Sequence, residues 1–324
     1  MNIHDRAGLK NAAQESLVAS GGWDRKLVLI YAGASAVLAL LITVVDYLLG
    51  SGISDTGGLS GMGLRSILST AQTVLPVAQL LVIPFWELGF FNAVLKLAKQ
   101  ERVDTADLFW GFRNLGLSAR YLLLRTGLYF AAAFAGSYLG TQVFLFTPWA
   151  TPLMDMMLNG AADEAALAQT MAQVQLPLLL CNLAFFLLLL IPVVFRYRLA
   201  GLILPEHPEN GALAALRGSR RMTRGNCKAL LRLDLSLWWF YAVDFLLLAV
   251  AYSDKLLPLL GVELPVSADA AFFISYVISL LLQLGWYYFA LARVQVTYVH
   301  AYEALKNPEP QQAVPVGQPW KYDV

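Results

Sequence analysis

Three features of this chain predict an all-α, polytopic membrane protein with six transmembrane helices and cytoplasmic interfacial amphipathic helices. Hydrophobic residues make up 58% of it and charged residues only 14%, against roughly 45–50% and about 25% in an ordinary soluble domain. The apolar residues gather into six runs of twenty or more positions, about what a helix needs to cross a hydrocarbon core ~30 Å thick. Lysine and arginine crowd into alternate connections between those runs. A soluble globule of 324 residues has too little interior for so much apolar surface, whereas a lipid-facing surface needs no covering.

Residues 5–19 have the spacing of a short amphipathic helix: Leu9, Ala13 and Leu17 recur every four residues, opposite Lys10 and Glu15. Ser20-Gly21-Gly22 ends it, and Trp23 is the aromatic expected at a membrane interface. Residues 1–26 therefore read as an N-terminal cytoplasmic interfacial helix. From the polar start and the length of the first apolar run, no cleavable signal peptide is expected. That run, about 27–49, is the first span and acts as its own signal.

A Gly- and Ser-rich outer loop at 51–65 precedes the second span within 67–97, where Pro76 and Pro84 are expected to kink the helix or split off its outer turn. A polar connection at 98–117 carries a short helix over 104–112. The third span, 121–146, has a smooth face of Ala131, Ala132, Ala135, Gly136 and Gly140 suited to close helix approach. An outer segment at 147–170 leads to the fourth span, 174–195. The most basic stretch, 196–228, leads to the fifth, 229–252. An outer loop at 253–269 precedes the sixth, 271–296. The six-span domain thus covers 27–305, and a proline-rich disordered cytoplasmic tail occupies 306–324. With both termini inside, 21 of the 23 lysines and arginines fall on the cytoplasmic side; only Arg65 and Lys255 lie outside.

Two constellations could carry function. Ala212, Leu216, Ser219 and Met222 recur at helical spacing, while Arg217, Arg221, Arg224 and Lys228 form a second face that Arg220 widens. Asn210-Gly211 is placed to cap this helix and Gly225 to stop it. A basic amphipathic helix of this kind binds anionic lipid headgroups, each basic residue contributing about 1 kcal/mol; the simpler reading is that its charges only set topology. The second constellation is Glu87, Asn182, Asp244 and Gln283, one from each of four spans at similar depth. Such groups in a bilayer face the bundle, pair, or line a cavity. They suit either a ligand or ion site or interhelical hydrogen bonding. Arg196, Arg198, Arg232, Asp234 and Arg293 fall at one inner boundary and are expected to form an ion-pair cluster.

Cys181 and Cys227 lie far apart, and the three histidines are scattered, so neither a disulfide nor a metal site is expected. No phosphate-binding loop, nucleophile elbow, zinc-protease or dinucleotide motif occurs. No cofactor and no enzymatic activity are expected. The net charge of +1 argues against nucleic acid as a partner.

Residues 191–240 carry a recognisable pattern: Ile191-Pro192, Tyr197, Ile203-Leu204, Pro208-Glu209, Ser219-Arg220, Met222, Gly225, Lys228, Leu233-Asp234-Leu235-Ser236 and Trp239. It resembles the domain-of-unknown-function 975 family of bacterial integral membrane proteins. Leu9-Lys10, Ala13, Leu17 and Trp23, then Phe109, Gly111 and Phe112, and finally Tyr302-Glu303 and Leu305 extend the resemblance over nearly the whole chain. Val193 departs from it, standing where the family tends to have glycine. The resemblance implies a multi-pass protein of the bacterial cytoplasmic membrane and no particular reaction. Two readings stay open. One is a non-enzymatic membrane component that organises lipid or protein partners, including further copies of itself. The other is a transporter or channel-like subunit for a small polar or amphiphilic solute.

Overall fold

The computed structural model describes residues 2–50, 59–159, 164–259 and 267–307. The tail from Pro308 onward, the first part of the expected outer loop (51–58) and parts of the other two outer segments (160–163 and 260–266) lie outside them. The described residues form helices and turns, with no strand. The thirteen α-helices are α1 (Arg6–Ala19), α2 (Trp23–Gly50), α3 (Leu59–Ala98), α4 (Trp110–Arg113), α5 (Leu115–Leu145), α6 (Thr151–Asn159), α7 (Glu164–Tyr197), α8 (Ala200–Glu206), α9 (Gly211–Thr223), α10 (Cys227–Ser236), α11 (Trp238–Ala251), α12 (Ser253–Leu259) and α13 (Ala268–Lys306).

Five of these helices, α2, α3, α5, α7 and α13, are long and apolar enough to cross a membrane. Their outward faces stay apolar: Leu80 and Leu123 are each 74% exposed and Phe130 70%. Patches of that kind are not left open to water on a soluble monomer. The chain divides into two compact units, one of residues 1–118 and 228–324, the other of 119–227.

In the first unit, α2, α3, α11 and α13 pack together. α3 runs unbroken through Pro76 and Pro84, so no outer turn splits off. Each proline removes one backbone donor, and in an apolar setting the remaining bonds hold the helix. The first turns of α3 also take up residues 59–65, which the sequence assigned to a loop.

A deeply buried core forms where α1, α3 and α13 meet in this unit. Leu88, Ala93 and Leu97 of α3, Leu108 beside it, and Val294, Val299 and Tyr302 of α13 are at most 3% exposed. Leu9 and Ala13 of α1 are fully buried, because α1 lies along α13 and α3. The apolar face that the sequence offers to a membrane surface is thus largely taken up by protein. Ser16 Oγ meets His300 Nε2 at 3.0 Å and donates to the Ala98 carbonyl at 3.4 Å.

The short helix expected at 104–112 is a 3₁₀ turn, Thr105–Phe109, followed by α4. Asp107 draws its start together, accepting from Asp104 N at 3.0 Å and from Lys96 Nζ at 2.6 Å. Two glycines let this segment press against α3. A Cβ on Gly89 would lie 1.7 Å from the Leu108 carbonyl oxygen, and one on Gly111 would lie 2.1 Å from that of Phe85.

The fifth apolar run, expected as one helix over 229–252, is broken. α10 and α11 meet at Leu237 with a bend of 61°. α11 alone, with 14 residues, is about 21 Å long. At the break Leu237 N donates to Asp234 O at 2.9 Å and Phe240 N to Leu237 O at 3.0 Å. The Ser236 carbonyl accepts instead from Lys10 Nζ at 2.8 Å, a cation at a helix C-terminus where the dipole favours one. Burial, and then the positive charges of Arg293 and Arg6, hold the Lys10 ammonium below the usual lysine pKa. Asp234 accepts from Tyr298 Oη, which also bonds Tyr241 Oη at 2.7 Å.

In the second unit α5 and α7 approach closely through the smooth face read from the sequence. A Cβ on Gly136 would lie 2.7 Å from Phe186 Cα, and one on Gly140 2.7 Å from Asn182 Cα. α8 is almost wholly buried, Ala200 to Pro205, and packs on α9. α9 buries Ala212, Ala215, Leu216, Ser219 and Thr223. Gly225, at φ +86°, ends the segment as expected. Asn210, however, makes no side-chain cap; the chain enters the helix through Gly211 at φ +80°.

Candidate functional site

The apolar stretches of α2, α3 and α13 leave a cavity of about 280 Å³ between them. α2 contributes Tyr31, Ser35 and Ala39, four residues apart and so on one face. α3 contributes Gln79 and Ile83. α13 contributes Tyr276, Leu280, Gln283 and Tyr287, again one face. Ala32 and Ala36 keep the α2 wall low enough to leave the space.

The polar groups are arranged around aromatic walls. Gln283 Nε2 donates to Tyr287 Oη at 3.1 Å. Tyr31 stacks on Phe90 with centroids 4.4 Å apart, and Tyr287 stacks on Phe240 at 6.0 Å. Ser35 Oγ donates back to Tyr31 O at 3.0 Å. Glu87 lies close enough to Tyr31 to act on it electrostatically, and Asp244 acts likewise on Tyr287. Asp244 Oδ1 is buried and accepts no hydrogen bond among the described residues. A buried carboxylate oxygen without a donor is uncommon in a folded interior and calls for a proton, a water or a ligand.

Of the four polar residues singled out in the spans, Gln283 lines the cavity, while Glu87 and Asp244 act on its two tyrosines electrostatically. Asn182 belongs to the second unit, where its Oδ1 accepts from Thr141 Oγ1 at 3.1 Å. The tyrosines, Ser35 and Gln79 were missed by the sequence reading. Their signal was the polar i, i+4 pair 31/35 on α2 and the i, i+7, i+11 series 276/283/287 on α13.

The basic constellation is arranged differently from its sequence pattern. Arg217, Arg220 and Arg221 are exposed on α9. The helix ends at Thr223, so Arg224 and Lys228 leave it: Arg224 is extended, at ψ 119°, and Lys228 lies on α10 in the first unit. One continuous basic face from 217 to 228 is therefore not formed. Among the described residues no group of three His, Cys, Asp or Glu side chains is placed to hold a metal.

Several residues that carry the family resemblance are packing positions. Lys10 meets Ser236, Tyr298 meets Asp234, and Phe109 and Phe112 pack edge-on against Trp86 at 4.9 and 6.2 Å. Residues 1–307 match a family described as "Protein of unknown function (DUF975)". No curated protein and no solved structure matches the chain.

Proposed function

The chain belongs to the DUF975 family, and from that membership and its helices we propose a non-enzymatic protein of the bacterial cytoplasmic membrane that holds a small polar or amphiphilic solute between α2, α3 and α13. α10 and α11 count as one broken span, which makes six and puts both termini in the cytoplasm. The distribution of 21 of 23 basic residues supports that orientation.

The single observation that carries the reading is the cavity of about 280 Å³, its tyrosine and glutamine lining set within apolar helices and flanked by Glu87 and Asp244. The space is a half-open cleft, so a small molecule can enter it from the side of the bundle. A broken helix beside a polar site is also a recurring feature of membrane proteins that move solutes. The experiment is to purify the protein and an Ala36→Trp variant, which fills the cavity, and compare bound small molecules by mass spectrometry. A molecule retained by the first and absent from the folded variant is expected; identical contents would overturn the reading.

A second reading, organisation of anionic lipid or a protein partner, is supported by the exposed Arg217, Arg220, Arg221 and Arg224. Both readings are compatible with one molecule, because they use different units.

A further inference from the structure

The C-terminal end of α7 is held by the buried face of α9. Ser219 Oγ donates to the Arg196 carbonyl at 2.8 Å, and Thr223 Oγ1 approaches the same oxygen at 3.4 Å. Ser219 Oγ in turn accepts from Leu199 N at 3.2 Å. This clasp holds the Arg196 backbone against α9. Arg196, Arg220 and Arg224, with Thr223 and Cys227, surround a cavity of about 330 Å³.

The charged residues around this cavity are all arginines. Thr223 Oγ1 donates to Ser219 O at 2.9 Å, and the Cys227 thiol sits 3.2 Å from Thr223 O. No carboxylate lines the space, and none of the three arginines makes an ion pair among the described residues. Helix ends attract cations, but the last-turn carbonyl of Arg196 is already taken by hydroxyls, so that attraction does not account for three arginines around one space. Like charges around one space repel unless an anion sits among them. Guanidinium is the planar fork that pairs two N–H groups with two oxygens of a phosphate. The volume lies at the low end of ligand sites, about 300–1,000 Å³.

We propose that this cavity binds a phosphate group, carried either by a lipid headgroup or by a free phosphate. This site is independent of the cavity between α2, α3 and α13 and of the span count. It also differs from a diffuse surface attraction, because Arg217 and Arg221 share α9 yet do not line the site.

Cys227 is a free, exposed thiol at the cavity wall and reports occupancy directly. In the full chain carrying Cys181→Ser, the rate of Cys227 alkylation is compared with and without ligand. One arm adds inorganic phosphate to the protein in a sugar detergent. The other adds phosphatidylglycerol to the same detergent micelles, which otherwise hold no phosphate. Occupancy should slow alkylation about tenfold at ten times Kd, since protection scales as 1 + [L]/Kd. Slowing by phosphate in detergent identifies a free-phosphate site; slowing only with phosphatidylglycerol identifies a headgroup site. Protection should vanish in Arg196→Gln, weaken in Arg196→Lys, which keeps the charge without the fork, and persist in Arg217→Gln. Because the clasp uses the Arg196 backbone, these changes leave it in place, which circular dichroism checks. No protection in either arm, or equal loss in Arg217→Gln and Arg196→Gln, would overturn the site.

Discussion

Glycine gives the sharpest residue-scale contrast in this molecule. In a helix interior, glycine-to-alanine normally stabilises by about 0.5–1 kcal/mol. At Gly127, where a Cβ would meet nothing within 4 Å, that gain or no change is expected. At Gly89 the added carbon falls 1.7 Å from the Leu108 carbonyl oxygen. Backbone there must move, and overpacking of this kind costs about 1–3 kcal/mol. Thermal unfolding of Gly89→Ala and Gly127→Ala in detergent should therefore shift in opposite senses, or at least differ clearly. Gly136 and Gly140 were legible as close-approach residues because small residues four apart mark one helix face. Gly89 and Gly111 were not, because each meets a carbonyl in a connection whose path the sequence does not specify. The tyrosine lining of the cavity was missed for a related reason. Tyrosine near a span end reads as an interfacial anchor, and only the packing of α2 on α13 turns Tyr31 and Tyr287 toward the same space.

Helix existence was legible and helix continuity was not. The apolar runs located the five long helices but not their ends: α3 begins at Leu59 rather than 67, α7 at Glu164 rather than 174, and α13 ends at Lys306 rather than 296; the 3.6-residue period located α1 and α9. Nothing in the run 229–252 announces a break: it holds no glycine or proline. The break at Leu237 is held by a partner remote in sequence, Lys10, which caps the Ser236 carbonyl. Charged hydrogen bonds contribute about 1.5–3 kcal/mol, and this one is only half-buried, so Lys10→Met should destabilise by about 1 kcal/mol. The change should be local: limited proteolysis after α1, around Gly21 and Gly22, should quicken while the rest of the chain stays resistant. Lys10→Arg, which keeps a donor, should be closer to the parent protein. Deeper packing carries more. Leu9 is fully buried under α13, and Leu9→Ala should cost about 2–5 kcal/mol, read as a lowered melting temperature.

For the molecule as a whole, the proposed topology follows from the charge distribution. Reporter fusions after Lys306 should give a cytoplasmic signal, and fusions within 147–159 an external one; a cytoplasmic signal from the second set would contradict six spans. The central claim concerns the space between α2, α3 and α13, and its most direct test is solvent access to Ser35, which lines it. In a chain without native cysteines, Ser35→Cys and Leu80→Cys are exposed in membranes to a small, membrane-impermeant thiol reagent. Leu80 is 74% exposed on the apolar outer face of α3 and serves as the lipid-facing control. Rapid labelling of Ser35→Cys with an inert Leu80→Cys is the predicted result. Ser35→Cys as inert as the control would mean a dry, closed bundle and would contradict a solute site there.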